Sequence, residues 1–215
     1  MLTHSFTYDG TFDGFLCVSI RCINMRMIPS DIKRKSNNFV DNGYEYIHTD
    51  KRRAKRLFDM IGRYGSSELQ QMTSDGFLTC MPSKEKDILV LIFKALKYGA
   101  VVAERYDDEH IKRIHEAIQD LYREAQSCLS SLSMTDVENN RLAILNPRND
   151  VLPIISHTVM RREAGVDVAL YDKRHNTIYR RHDGIESVID LYEMPHNEIK
   201  NAYDLYEQLQ HYKAS

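Results

Sequence analysis

A histidine, an aspartate and an arginine in the last third of the chain could carry out acid-base chemistry on an anionic substrate. His157 could serve as a general base, Asp172 could orient its imidazole, and Arg174 could hold a phosphate through two parallel hydrogen bonds. This chemistry requires the three side chains to converge in a cleft. The alternative is that the residues around Asp172 form only a charged hairpin turn.

Other chemistry is less well supported by residue types and spacing. His175 and His182 lie at opposite ends of one predicted strand, and seven residues at about 3.3 Å each separate them by roughly 23 Å, so they cannot share an ion. We therefore predict no metal site. The phosphate-binding, dinucleotide-binding, serine-hydrolase and zinc-protease motifs are all absent.

A predicted helix in the N-terminal part of the chain concentrates positive charge. Its cations are Lys51, Arg52, Arg53, Lys55 and Arg56. Thr49 or Asp50 can cap this helix, and Ala54 and Leu57 begin its apolar stripe. Because the helix macrodipole is positive at its N-terminus, cations there cost stability, and an external phosphate would compensate. We predict a nucleic-acid-binding face, with a merely solvated surface as the alternative.

Charge and composition set wider bounds on the function. The net charge of -2 gives no global positive field. However, residues 1 to 63 hold eleven basic and seven acidic side chains, whereas residues 64 to 140 hold eight basic and thirteen acidic ones. A polyanion should therefore bind toward the N-terminus.

Some of the thirteen tyrosines are candidates for stacking on bases: Tyr44, Tyr46, Tyr64, Tyr171 and Tyr179. Packing at half-buried positions explains such residues equally.

The periodicity predicts an α+β protein. We expect a helical N-terminal and central part and a small, mostly antiparallel sheet built largely by the C-terminal half. The chain should form one domain, with possible lobes over residues 1–126 and 141–215 joined by a serine-rich connection over 127–140. Residues 33–38 suggest an exposed loop, Asn149 or Asp150 a helix cap, and Asp183-Gly184 a tight turn.

Features of targeting point to the cytoplasm. The N-terminus lacks the basic and apolar segments of a signal peptide, and the longest apolar run, Ile88 to Phe93, is far shorter than the roughly 20 residues that span a bilayer. The cysteines form no CxxC pair, which favours reduced thiols. We expect a soluble cytoplasmic protein that does not contact a membrane.

Three blocks of sequence resemble a bacterial family described as probable DNA metabolism proteins, a domain of unknown function. The first block is Tyr8-Asp9-Gly10-Thr11-Phe12-Asp13-Gly14-Phe15-Leu16, and the second is Tyr46-Ile47-His48-Thr49-Asp50 followed by Ala54. The third comprises Asn146-Pro147, Asp150-Val151-Leu152-Pro153, His157 and Tyr171-Asp172-Lys173-Arg174. This chain departs from the family's sequence pattern at two places. Thr158 stands where the family usually has an aromatic residue, and residues 129–134 contain serines in place of a segment with glycine and phenylalanine.

The resemblance implies a context for the protein. Members of that family are encoded beside a radical-SAM protein associated with DNA modification or repair, and some are fused to a domain similar to uracil-DNA glycosylases. An iron-sulfur cluster and SAM would belong to that partner, so we expect no cofactor in this chain. The motif residues carried over are Tyr8, Asp9, Gly10, Phe12, Gly14, Phe15, Asp150, Pro153, His157, Tyr171, Asp172 and Arg174.

These observations lead to one main hypothesis and two alternatives. The main hypothesis is an accessory protein in DNA metabolism or repair that binds nucleic acid, a radical-SAM partner, or both. The first alternative is an enzyme acting on a phosphate-containing or nucleobase substrate through His157, Asp172 and Arg174. The second is a non-catalytic interaction module with a broad apolar patch, for example along the final helix.

Overall fold

The computed structural model describes residues 4–35, 43–191 and 199–211. The chain divides into two compact units, Met1–Gln119 (unit 1) and Asp120–Ser215 (unit 2). Helices dominate unit 1, and a five-stranded, mostly antiparallel sheet dominates unit 2. The predicted α+β class is therefore confirmed. No helix within the described ranges is both long and apolar enough to cross a membrane.

Unit 1 contains a parallel sheet with the order β2-β1-β3. Its strands are β1 (Ser5–Tyr8), β2 (Asp31–Arg34) and β3 (Tyr44–Tyr46). The central strand β1 buries Phe6 and Tyr8. The loop predicted over residues 33–38 is wrong at its start, because Lys33 and Arg34 lie in β2, and residues 36–38 lie outside the described residues. This edge strand buries only Ile32, so it lacks the alternation by which strands are recognised.

Helices surround the core of unit 1. They are α1 (Phe12–Met25), α2 (Lys51–Met60), α3 (Ser67–Leu78), α4 (Lys84–Tyr98) and α5 (Glu109–Ser131), with a π-helical turn at Ile61–Gly65 and a 3-10 turn at Gly99–Glu104. Side chains cap four of them. Thr11 accepts from the Gly14 amide, Asp50 from the Arg52 and Arg53 amides, Ser66 from the Leu69 amide, and Asp108 from the His110 and Ile111 amides.

Helix α5 passes through the boundary between the two units and continues into the serine-rich segment. The hydroxyls of Ser130 and Ser131 donate to the carbonyls of Gln126 and Ser127, one turn earlier. Such bonds let serine remain helical. The segment predicted as a connection over residues 127–140 is therefore helical as far as Ser131 and includes a strand at Thr135–Val137.

The sheet of unit 2 has the order β4-β5-β6-β7-β8. Its strands are β4 (Thr135–Val137), β5 (Asn140–Leu145), β6 (Asp167–Asp172), β7 (Thr177–His182) and β8 (Ile185–Asp190). Strands β5 and β6 are parallel, and the other neighbours are antiparallel. Asp183 and Gly184 both have positive φ, as the tight β7–β8 turn requires.

Two helices belong to the sheet of unit 2. Helix α6 (Leu152–Arg162) connects the parallel strands β5 and β6, and α7 (Ala202–His211) packs Leu205 into a core with Leu142 and Ala169. The predicted cap of α6 is wrong: Val151 occupies the N-cap position, and no side chain caps the helix. Part of the final helix predicted over residues 197–212 lies outside the described residues.

The first motif block forms the turn between β1 and α1. The Asp9 carboxylate accepts from the Thr11 amide at 2.9 Å, the Thr11 hydroxyl at 2.7 Å and the Thr49 hydroxyl at 2.5 Å. Burial raises the pKa of Asp9, but the hydrogen bonds from Thr49 and Thr11 outweigh burial and hold it below its usual value. Gly14 packs against this network, since an added Cβ would lie 2.2 Å from the Asp9 Oδ1.

The rest of this block fills the core or bends the chain. The Tyr8 hydroxyl donates to Glu85 at 3.1 Å, and Phe12 and Phe15 both pack against Phe77. Gly10 has a φ of 86°, and the Arg34 side chain lies against it.

Substituting Gly14 with alanine should destabilise the protein, although alanine favours helices by about 0.5–1 kcal/mol over glycine. The new methyl group would displace the Asp9 carboxylate from Thr49 and Thr11. We expect the free energy of unfolding to fall by about 1–3 kcal/mol in urea denaturation. The control is Asn24→Ala at an exposed position of the same helix, which should leave stability unchanged or raised. A Gly14→Ala variant as stable as the native chain would contradict this packing.

Candidate functional site

The candidate site of unit 2 lies where the parallel strands β5 and β6 end. Leu145 and Asp172 are register partners at these carboxyl ends, and the Lys173 amide donates to the Leu145 carbonyl at 2.9 Å. Helix α6 begins at the same edge, because it follows β5 and precedes β6. Ligands of open α/β sheets bind outside the carboxyl ends of parallel strands, so this edge is the natural place for a site.

Asp172 is the central side chain of this edge. It is fully buried, and its Oδ1 accepts from the backbone amides of Arg174 at 2.9 Å and His175 at 3.1 Å. Its Oδ2 is 2.7 Å from the His175 Nδ1. The carboxylate therefore fixes the turn after β6 and orients the His175 imidazole. Histidines that transfer protons or bind a metal are typically oriented by a carboxylate in this way.

Asp150 joins this pair. Ligand-capable atoms of Asp150, Asp172 and His175 all lie within 4.8 Å of one another. The Asp150 Oδ1 is shielded from solvent, and His175 retains 27% side-chain exposure. We call these three residues the Asp-Asp-His cluster. It combines two carboxylates and one imidazole at a partly open edge.

Glu124 of α5 holds the loop that leads to Asp150. Its carboxylate accepts from the backbone amides of Arg148 at 2.8 Å and Asn149 at 2.9 Å and from the Asn149 side chain at 2.7 Å. Burial raises the pKa of Glu124, but these hydrogen bonds and the Arg148 charge outweigh burial and lower it overall. Burial and the charges of Glu124 and Asp172 raise the pKa of the neighbouring Cys128, whose thiol therefore stays protonated.

The structure places the proposed catalytic residues differently from the hypothesis. His157 is exposed on α6, and the orienting bond expected between Asp172 and His157 is made to His175 instead. Arg174 is exposed, and it contacts Asp172 through its backbone amide. No hydrogen bond within the described residues joins His157 to Asp172 or Arg174. The sequence alone shows that Asp172 and His175 are close along the chain. For Asp150, the sequence indicates only a helix cap.

The remaining residues of the third block support the edge. Tyr171 is buried and its hydroxyl donates to Asn176 at 3.2 Å, which excludes it from base stacking. Pro153 occupies the first turn of α6, where its missing amide hydrogen is no loss.

Elsewhere in unit 2, His182 belongs to a second cluster, and its Nδ1 is 2.5 Å from Asp167. Asp183 completes this cluster on the exposed β7–β8 turn, and His175 is not part of it. A cavity of about 850 Å³ also lies beside β5, β6, β7 and α7, lined in part by Leu142, Arg180 and Tyr206.

The candidate nucleic-acid interface is in unit 1. The side chains Lys51, Arg52, Arg53, Lys55 and Arg56 are all exposed on α2, whereas Ala54 and Leu57 are buried. Within the described residues, the one carboxylate that pairs with these five is Asp59, 3.3 Å from Lys55 on the same helix. We call this surface the basic face of α2.

The basic face adjoins the carboxyl edge of the parallel sheet, because β3 leads through Thr49 and Asp50 into α2. Lys35 follows β2 at the same edge, and its Nζ lies 4.8 Å from the centre of the Tyr46 ring. His48 meets that ring edge-on at 4.9 Å. A lysine and a histidine therefore flank one aromatic ring beside the start of α2.

The tyrosines proposed for base stacking differ in availability. Lys33 and Lys35 already lie over the Tyr44 and Tyr46 rings. Tyr179 donates its hydroxyl to Glu186 at 2.7 Å. Tyr64 is 58% exposed and is the candidate with the most open ring among the five.

Comparison with known proteins adds no relatives: no protein-family model and no curated protein matches the chain. Membership of the family that the sequence resembles therefore stays a prediction.

Removing the buried carboxylate of Asp172 should be costly. Asp172→Ala would leave the amides of Arg174 and His175 without their acceptor, and we expect the free energy of unfolding to fall by about 3 kcal/mol in urea denaturation. Arg174→Ala keeps the backbone donor and should change stability by less than about 0.5 kcal/mol. Equal losses of stability in the two variants would contradict the assigned role of Asp172.

Glu124 should make the stability of the protein sensitive to acid. Because its pKa in the folded state is lowered from 4.5, its contribution is complete above pH 4.5 and is lost as the pH falls through the folded value. We expect unfolding free energy to decline less steeply below pH 4.5 in Glu124→Gln than in the native chain. Glu116→Gln, an exposed carboxylate on the same helix, provides the charge-matched control. Identical pH profiles for native chain and Glu124→Gln would refute the prediction.

Proposed function

We propose that this chain is an accessory protein in DNA metabolism or repair that binds the nucleic-acid backbone through the basic face of α2. The observation that carries the proposal is the exposure of five cations on one helix, of which Lys55 alone has a carboxylate partner among the described residues. Lysine and arginine contacts to phosphates release counterions and supply most of the affinity of sequence-independent binding.

The position of these cations on the helix strengthens the proposal. Lys51, Arg52 and Arg53 occupy the first turn of α2, which contains no acidic residue. Positive charges there oppose the helix macrodipole, so the arrangement costs stability in the isolated protein. A bound phosphate would offset the repulsion among these cations through their side chains, because the amides of Arg52 and Arg53 are already bonded to the Asp50 carboxylate.

The adjoining edge fits an extended polyanion. Lys35 and His48 contact Tyr46 at the end of the parallel sheet, next to the start of α2. Together with the basic face, Lys35 extends the cationic surface beyond a single helix. A backbone with regularly spaced phosphates fits such a surface better than one small anion does.

The resemblance of the sequence to DNA metabolism proteins adds a partner to the proposal. A radical-SAM protein would contribute the iron-sulfur cluster and SAM, and this chain would contribute contacts to DNA. Co-purification of the two proteins, with and without DNA, tests this part. Loss of the complex on nuclease treatment would mean that DNA bridges them.

A second candidate function is catalysis at the carboxyl edge of unit 2. The 2.7 Å contact between Asp172 and His175 favours it, because a carboxylate-oriented imidazole is the minimum for general-base chemistry. The acting histidine would be His175 rather than His157. Arg174 remains available on the same turn to hold an anion.

The DNA-binding proposal predicts a specific effect of charge removal on salt dependence. We expect Arg52→Gln/Arg53→Gln to weaken binding of a fluorescent DNA duplex, measured by anisotropy. The slope of log affinity against log salt should flatten by about 0.9 for each phosphate that the variant no longer neutralises. The melting temperature should not fall, since the change relieves the unfavourable first turn of α2.

A matched variant separates the local effect from net charge. Lys112→Gln/Arg123→Gln removes two exposed cations from α5 and produces the same change in net charge. It should leave the salt dependence close to that of the native chain. If the two double variants behave alike, the basic face of α2 is not the binding surface.

A further inference from the structure

We propose that the Asp-Asp-His cluster of unit 2 binds a first-row divalent metal ion of the class of Mn²⁺ or Zn²⁺. The site consists of Asp150, Asp172 and His175 and does not depend on the function proposed for unit 1.

The geometry of the three side chains suits one ion. Their ligand-capable atoms lie within 4.8 Å of one another. Donor atoms about 2.0–2.2 Å from one metal ion are separated by about 3–4 Å. Small rotations of the side chains would complete a coordination sphere, with the ion replacing the proton between the Asp172 Oδ2 and the His175 Nδ1, which is released to solvent. Three protein ligands leave further positions for water or for an anionic ligand.

Burial of negative charge is an independent reason to expect a cation. Asp172 has no exposed surface, and the Asp150 Oδ1 is shielded from solvent. Bringing two carboxylates together away from water is costly unless a cation lies between them. A divalent ion bound between Asp150 and Asp172 would balance both carboxylate charges.

The surrounding structure holds the ligands in place before any ion binds. Two backbone amides fix the Asp172 Oδ1 and leave Oδ2 directed at the His175 Nδ1. Glu124 fixes the loop before Asp150 through the amides of Arg148 and Asn149. Such preorganisation by hydrogen bonds behind the ligands is typical of metal sites.

The donor types select the class of ion. Carboxylates alone would suit Mg²⁺ or Ca²⁺, but an imidazole favours Mn²⁺, Fe²⁺ or Zn²⁺. The second cluster, Asp167, His182 and Asp183, has the same donor types, but His182 and Asp183 are exposed. It therefore serves as an internal comparison for the buried cluster.

The full chain, dialysed against chelator, tests the proposal by titration with Mn²⁺ under electron paramagnetic resonance and with Zn²⁺ under calorimetry. We expect saturable binding that includes one metal ion per chain at the Asp-Asp-His cluster. The affinity for this one equivalent should fall at least about tenfold in Asp150→Asn and in His175→Gln. His182→Gln should leave that equivalent unchanged.

A second test uses the native chain, so its result does not depend on whether any variant folds. Substoichiometric Mn²⁺ should broaden the imidazole resonances of His175 before those of His182 in NMR spectra. Absence of saturable binding, or binding abolished in His182→Gln and retained in His175→Gln, would overturn the proposal. So would broadening of His182 before His175.

Discussion

Parallel strand pairing decides where the polar side chains of both units gather, because it brings the carboxyl ends of neighbouring strands to one edge. In unit 1, β1 runs parallel to β2 and β3, and Asp9, Lys35 and Thr49 all follow strand ends at that edge. In unit 2, β5 and β6 are the parallel pair, and Asp150 and Asp172 gather beside their ends. The same rule of topology therefore positions both candidate sites.

The two edges then differ in how they satisfy a carboxylate. Asp9 is partly buried, and three hydroxyl and amide donors of Thr11 and Thr49 stabilise its charge, which leaves a closed structural turn. Asp172 has two amide donors on one oxygen, but its other oxygen faces His175 and lies near Asp150. The first arrangement is complete within the protein, whereas the second concentrates negative charge that a cation would balance.

Local sequence signals predict those features that depend on near neighbours. The Asp183-Gly184 turn follows from two neighbouring residues that accept positive φ. Strand β2 could not be found this way, because Ile32 is its one buried residue and its existence depends on pairing with β1. The Asp172–His175 contact lies within one turn, but the approach of Asp150 depends on α6 and β6 packing together.

The signs of charge at the two edges lead to different modes of anion binding. At α2, Ala54 and Leu57 anchor the helix, so that its cations project into solvent and a phosphate can bind them directly. At the Asp-Asp-His cluster, an anion would meet two carboxylates and be repelled. The proposed metal ion would bridge the carboxylates and the anion and add its positive charge to that of Arg174, so that this second edge would also attract phosphate.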